Sequence, residues 1–128
     1  MKSREGTLRL KRFQVEEKRR QVAQIEAMIA EFERMARELN DQVLAEQERS
    51  GIHDAGHFAY PTFAKAASQR RDNLAASERA LREKLAAAKA ACEEAETELA
   101  KVEAIAERDQ VATEKHAHPM QRAAAVQA

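Results

Sequence analysis

Apolar residues recur every seven positions along the first part of the chain. Leu8, Val15, Val22, Ile29, Ala36 and Val43 form one unbroken row, with Ile25, Phe32 and Leu39 as a companion row three residues on. Rows at these offsets make a heptad seam, and a strict 3.5-residue period implies left-handed supercoiling. A second seam follows. Leu74, Leu81, Ala88, Ala95 and Val102 alternate by four and three with Leu85, Cys92, Leu99 and Ala106. Between the two seams Gly51, Gly56 and Pro61 fall within eleven residues, while 7–50 and 62–118 contain neither glycine nor proline. The pattern predicts helix one over 7–50, a loop over 51–62 and helix two over 63–112. Ser3 or Thr7 is the candidate first cap, Gly51 suits the left-handed position after helix one, and Pro61 is tolerated in a first helical turn. Helices of this length would run roughly 65 and 75 Å at 1.5 Å per residue, too long for a globular core. The predicted fold is all-α: a long antiparallel two-helix coiled-coil hairpin with a disordered C-terminal tail over 113–128, where the seam gives out.

Charge fixes the direction of pairing. Residues 1–20 carry net +5, residues 21–50 net −4, residues 61–90 net +4 and residues 91–113 net −5. Folding back at the loop sets each block beside its opposite, with paired residue numbers adding to about 113. A parallel in-register dimer would stack like on like. Exposed ion pairs contribute little stability each, so the blocks select orientation more than they hold the fold together. In this register Ile25 meets Ala88, Phe32 meets Leu81 and Leu39 meets Leu74. Toward the open end the seam thins, because Lys11 and Lys18 occupy seam positions and much of helix two is alanine, which buries little area.

Composition narrows the function classes. Charged residues make up 34% and aromatics 4%, with no tryptophan, and Leu, Ile, Val and Phe together stay below the roughly 20% that a packed globular core needs. The abundant residues are strong helix formers rather than the Pro, Gly and Ser of disordered chains. Net charge is zero, which disfavours a nucleic-acid coat. A +5 helical arm binding nucleic acid is a minor alternative. One cysteine excludes an intramolecular disulfide framework and fits a reducing compartment. There is no apolar run of the roughly 20 residues a membrane span requires, nor one behind the N-terminal Met-Lys-Ser-Arg-Glu, so a soluble cytoplasmic protein is expected.

Candidate chemistry is sparse. His53 and His57, and His116 and His118, have spacings that can share a metal, but a site needs three or four ligands and Asp54 is the only carboxylate nearby, so solvated loop and tail histidines are expected. Cys92 lies in the apolar row beside Glu93, Glu94 and Glu96, a setting for an inert buried thiol rather than a nucleophile. No phosphate loop, nucleophile elbow or convergent acid pair occurs, so no enzyme activity, cofactor or metal is expected. Leu10 and Phe13 sit off the row of Leu8 and Val15 among Arg9, Lys11 and Arg12; contact with a partner and local packing both account for them. Ile52, Phe58, Tyr60 and Phe63 are expected to close the hairpin as a small apolar cap, framed by Arg70, Arg71, Asp72 and Asn73, and the same cap can serve as a binding knob.

The runs Met1 to Glu5, Leu8-Arg9-Leu10-Lys11-Arg12-Phe13-Gln14-Val15 and Glu17-Lys18-Arg19-Arg20-Gln21-Val22 resemble the α-proteobacterial branch of the flagellar type III export protein FliJ family. So do Gly51-Ile52, His57-Phe58-Ala59-Tyr60-Pro61-Thr62 and Arg70-Arg71-Asp72-Asn73-Leu74. The resemblance covers about residues 1–110, and the loop and the Arg-Arg-Asp-Asn-Leu run are its most specific parts. It implies a non-enzymatic stalk, similar to the central coiled coil of rotary ATPases, that binds the hexameric flagellar export ATPase. It also implies contact with the cytoplasmic domain of the export gate protein FlhA and handling of export chaperones, with membrane association only through the gate. Leu8, Arg9, Leu10, Arg12 and Phe13 would then face the ATPase ring, and the mid and loop-side region, with Phe58, Tyr60, Phe63, Arg70 and Arg71, would be the gate-side candidate. A generic cytoplasmic coiled-coil scaffold, or the equivalent stalk of an injection-type secretion system, accounts for the heptads and charge blocks equally well.

Overall fold

The computed structural model describes the backbone of residues 2–127 and the side chains of residues 3–115. Two helices account for it: α1, Lys2–Ser50, and α2, Thr62–Gln127, joined by residues 51–61. The fold is an all-α antiparallel two-helix hairpin.

Local chemistry sets the helix ends. α1 begins at Lys2 rather than at residue 7, and Gly6 lies inside it with nothing within 4 Å of where a Cβ would stand. Neither Ser3 nor Thr7 caps it. The Thr7 hydroxyl instead donates to the Ser3 carbonyl at 2.9 Å, a back-bond within the helix. Glu5 in the first turn complements the positive end of the helix. At the other end Gly51 takes φ +73°, and its N–H donates to the Gln47 carbonyl at 2.8 Å. This is the left-handed stop that glycine adopts without steric cost. The Pro61 carbonyl accepts the Lys65 N–H at 3.1 Å, so proline stands just before the first helical residue, where its missing N–H costs nothing. α2 runs past the expected end at residue 112. Thr113 Oγ1 donates to the Asp109 carbonyl at 2.8 Å, and residues 113–115 are helical. The side chains of the rest of the expected tail lie outside the described residues.

The helices divide into two compact units, residues 1–19 with 90–128 and residues 20–89. In the first, Val15 is 1% exposed and Cys92 is buried, with Leu8, Leu99 and Val102 half-buried. Lys11 and Lys18 are half-buried too, their stems covering seam that alanines leave thin. Arg19 Nε donates to Glu96 at 3.3 Å, Arg12 lies 3.8 Å from Glu103, and Arg4 pairs with Asp109. The residue numbers of these partners add to 113–115, close to the 113 that the charge blocks predict.

In the second unit Ile29, Val43, Ala64, Ala67 and Leu81 are buried, and Val22, Ile25, Phe32, Leu39, Leu74 and Leu85 are half-buried. Arg82 bridges to Glu33, and Arg71 donates to Asn40 Oδ1 at 2.7 Å. Burying a Val or Leu side chain fully is worth about 1.5–3 kcal/mol, so the few branched residues on the seam outweigh the alanines beside them.

Two stability changes follow. Gly51→Ala forces a Cβ into the left-handed region and lowers unfolding free energy by about 1 kcal/mol, measured by urea denaturation. Leu81→Ala costs about 2–3 kcal/mol in the same assay, whereas Leu44→Ala, at a position 52% exposed, stays within about 0.5 kcal/mol of the parent.

Candidate functional site

The residues expected to meet a partner fall in both units. In the first, Leu10 is 54% and Phe13 60% exposed, while Leu8, Arg9, Arg12 and Glu5 line a shallow surface hollow of about 300 Å³. Helical geometry explains this placement. Leu8 and Val15 lie one heptad apart on the seam, which leaves Leu10 two residues and Phe13 five residues beyond Leu8, on the outward face. Arg12 spends its charge on Glu103, and Arg9 has no partner among the described residues. Two apolar side chains with arginines beside them therefore stand open to solvent. Ile105 and Val111, 52% and 45% exposed, add apolar surface on α2 of this unit. Neither lies on a heptad row: Ile105 stands between Ala104 and the half-buried Ala106, and Val111 lies between Gln110 and Ala112.

The expected aromatic cap at the loop does not form. Phe58 is 97% exposed and Phe63 56%, and only Ile52 and Tyr60 are half-buried. Helix phase supplies the reason. Because α2 starts at Thr62, the spacing of three puts Ala64 and Ala67 on the seam, 0% and 3% exposed, and turns Phe63 away from it. The loop is held by its own hydrogen bonds. Asp54 accepts the Gly56 N–H on Oδ1 at 2.9 Å and the His57 N–H on its carbonyl at 3.0 Å. His57 Nδ1 accepts the Ala59 N–H at 3.0 Å, and its ring stacks on Phe58 at 4.8 Å between centroids. Tyr60 is tied down by its hydroxyl, which accepts from Gln47 Nε2 at 3.0 Å. Phe58 and Phe63 thus present apolar surface, whereas Tyr60 closes the loop.

Arg70 and Arg71, neighbours in sequence, have different roles. Arg71 is half-buried and bonded to Asn40 and Asp72, a tie between helices. Arg70 lines a groove of about 460 Å³ with Met35, Glu38, Leu39, Gln42, Asn73, Leu74 and Ser77. Elsewhere on α1, Arg34 lies between Glu31 and Glu38. Its hydrogen bonds to Glu31 raise the Arg34 pKa most, and Arg34 in turn lowers that of Glu31.

No family model, curated protein or solved structure matches the chain. The site therefore rests on its own geometry. Among the described residues no group of three or more His, Cys, Asp and Glu is arranged to hold a metal. The side chains of His116 and His118 lie outside the described residues. Among the described residues no helix is long and apolar enough to cross a membrane.

Cys92 is a buried thiol on the seam of the first unit. Burial pushes its thiol up first, and Glu96, which accepts from Sγ at 3.5 Å, pushes it further. Glu96 also holds Arg19, whose pKa rises through that hydrogen bond. A thiol raised in the folded state ionises earlier in the unfolded chain. Its contribution is therefore complete below the unfolded value, about 8.5, and is lost as pH climbs toward the folded value. The urea midpoint of the parent should thus fall faster than that of Cys92→Ala between about pH 8 and 10. Parallel curves would show that the thiol titrates as if exposed.

Proposed function

We propose that this chain is a non-enzymatic stalk of the flagellar type III protein export apparatus, a member of the FliJ family. It binds the hexameric export ATPase and links it to the cytoplasmic domain of the gate protein FlhA, with a part in export chaperone handling. It acts in the cytoplasm and meets the membrane only through the gate. Two things support the reading: the local resemblance over residues 1–22, 51–62 and 70–74, and the antiparallel coiled-coil pairing of the helices that carry those runs.

The observation that carries the ring-facing assignment is the pair Leu10 and Phe13, more than half exposed, beside the unpaired Arg9. Apolar anchors flanked by arginine are the side chains that dominate protein interfaces. A soluble helix surface without a partner gains nothing from a phenylalanine there. A generic scaffold accounts for the heptads but leaves both this patch and the outward Phe58 without a use.

Co-elution with the export ATPase of the same cell, with ATP hydrolysis measured in parallel, tests the proposal. The chain should bind the ring and raise its turnover. Phe13→Ala and Leu10→Ala should each weaken binding by about tenfold, with helicity unchanged because neither side chain is buried. Absence of co-elution together with unchanged turnover points to the generic scaffold.

A further inference from the structure

The helix pair of residues 20–89 has two unlike edges. On one, polar groups cross between the helices: Glu33 with Arg82, and Asn40 with Arg71. On the other lie Met28, Met35 and Gln42, one heptad apart on α1, facing the row of Arg70, Ser77 and Lys84 on α2. Here no ion pair or hydrogen bond joins the helices among the described residues. Positions that flank a coiled-coil seam ordinarily carry Glu or Lys, which solvate the edge and pair across it. This edge instead holds two methionines, 47% and 36% exposed, and the 460 Å³ groove that reaches down to Leu39 and Leu74.

The next row out on each helix defines what fits. On α2 it is Asn73, Ala80 and Ala87, small and uncharged, a surface another helix can approach closely. On α1 it is Gln24, Glu31 and Glu38. Arg70 and Lys84 make no ion pair among the described residues, and Glu38, which shares the groove with Arg70, is held by Arg34. An occupant must therefore present long apolar side chains to the alanines and carboxylates to the two cations. The α1 of a second copy carries both, Met28 and Met35 with Glu31 and Glu38 beside them, two carboxylates that share the single cation Arg34.

We propose that this methionine-bearing edge is the contact between two copies of the chain. In the dimer α1 of each copy packs on α2 of the other, with the loops at the same end, as a four-helix bundle over residues 20–89. A two-fold axis along the bundle makes the contact isologous, so each methionine row is used twice. It sets the −4 stretch 21–50 of one copy against the +4 stretch 61–90 of the other. Stacking α1 on α1 would oppose −4 to −4. Glu31 of one copy falls at the level of Lys84 of the other, because within the pair Glu33 already lies level with Arg82. The contact uses neither Leu10 nor Phe13 and does not rest on the proposed function.

Sedimentation of the full chain over a range of concentrations, with two variants, tests the proposal. The parent should sediment as a dimer at high concentration. Met35→Lys, which adds a third cation beside Arg70 and Lys84, should raise the dissociation constant by about tenfold or more with unchanged helicity. Leu44→Lys, at a more exposed site off this edge, should leave it unchanged. A mixture of Glu31→Cys and Lys84→Cys chains, each also carrying Cys92→Ser, should form an intermolecular disulfide between the two kinds of chain under mild oxidation. A parent monomeric at every concentration overturns the proposal. So does a dimer that Met35→Lys leaves intact, or one in which the mixed cysteines fail to join. Loss of ATPase binding with the dimer intact would remove the proposed function alone, and a monomer that still binds the ring would remove this contact alone.

Discussion

An alanine-rich two-helix coil depends on register above all. Alanine lets backbones approach but gives one turn little reason to prefer a given neighbour over the next, so a seam containing Ala36, Ala88 and Ala95 could slide by a heptad at modest cost in burial. Two features remove that freedom. Branched residues such as Val15, Ile29, Val43 and Leu81 are interspersed with seam alanines, so a slip exposes some of them. The other feature is the order of charge, which makes a slipped or parallel pairing repulsive over whole blocks rather than at single residues. The ion pairs that result, Arg12 with Glu103 and Glu33 with Arg82, are open to solvent and weak individually. What they supply is exclusion of alternatives.

Much of this was legible before any coordinates, because periodicity and net charge are sums over many residues and tolerate local error. Helix identity, direction of pairing and register all come from such sums. The ends were harder. Whether α1 starts at residue 2 or 7 turns on a glycine tolerated inside a helix and on a Thr7 hydroxyl that back-bonds to Ser3 instead of capping. The loop misled for a related reason. Four apolar residues within twelve suggest a cap, but the phase of α2 is set by where Pro61 lets the helix begin, and that phase gives the seam to Ala64 and Ala67. Size did not decide which residue is buried. Phase did. Leu10 and Phe13 could be placed from sequence because they are referred to a long row, whereas Phe58 and Phe63 depend on a single turn.

The outward aromatics give the loop a different meaning from a closed cap. Tyr60 and the Asp54 and His57 turns already satisfy the backbone there, so the connection is ordered without Phe58. A side chain that is 97% exposed and rests only on the adjacent imidazole contributes almost nothing to the hairpin. The loop therefore keeps apolar surface that folding does not consume, as do Leu10 and Phe13 in the other unit. A small seam, sufficient for pairing, leaves several large apolar side chains outside it.

The two edges of the 20–89 pair extend that division. Where an edge is crossed by Glu33 and Arg82, charge has a partner inside the molecule and the surface outside it is an ordinary solvated one. Where Met28 and Met35 stand, charge has been withheld from α1 at three successive heptad positions while α2 keeps Arg70 and Lys84 opposite. Random drift on an exposed face would scatter Glu and Lys along such a row, since both favour helix and solubility. Methionine contributes neither charge nor a hydrogen-bond donor. Its unbranched, polarizable side chain adapts to a surface that is not yet in place. An unpaired cation costs little in water, so Arg70 and Lys84 alone imply nothing. Beside the uncharged row of Met28, Met35 and Gln42 they define the edge that the proposed second copy would cover with its own acids.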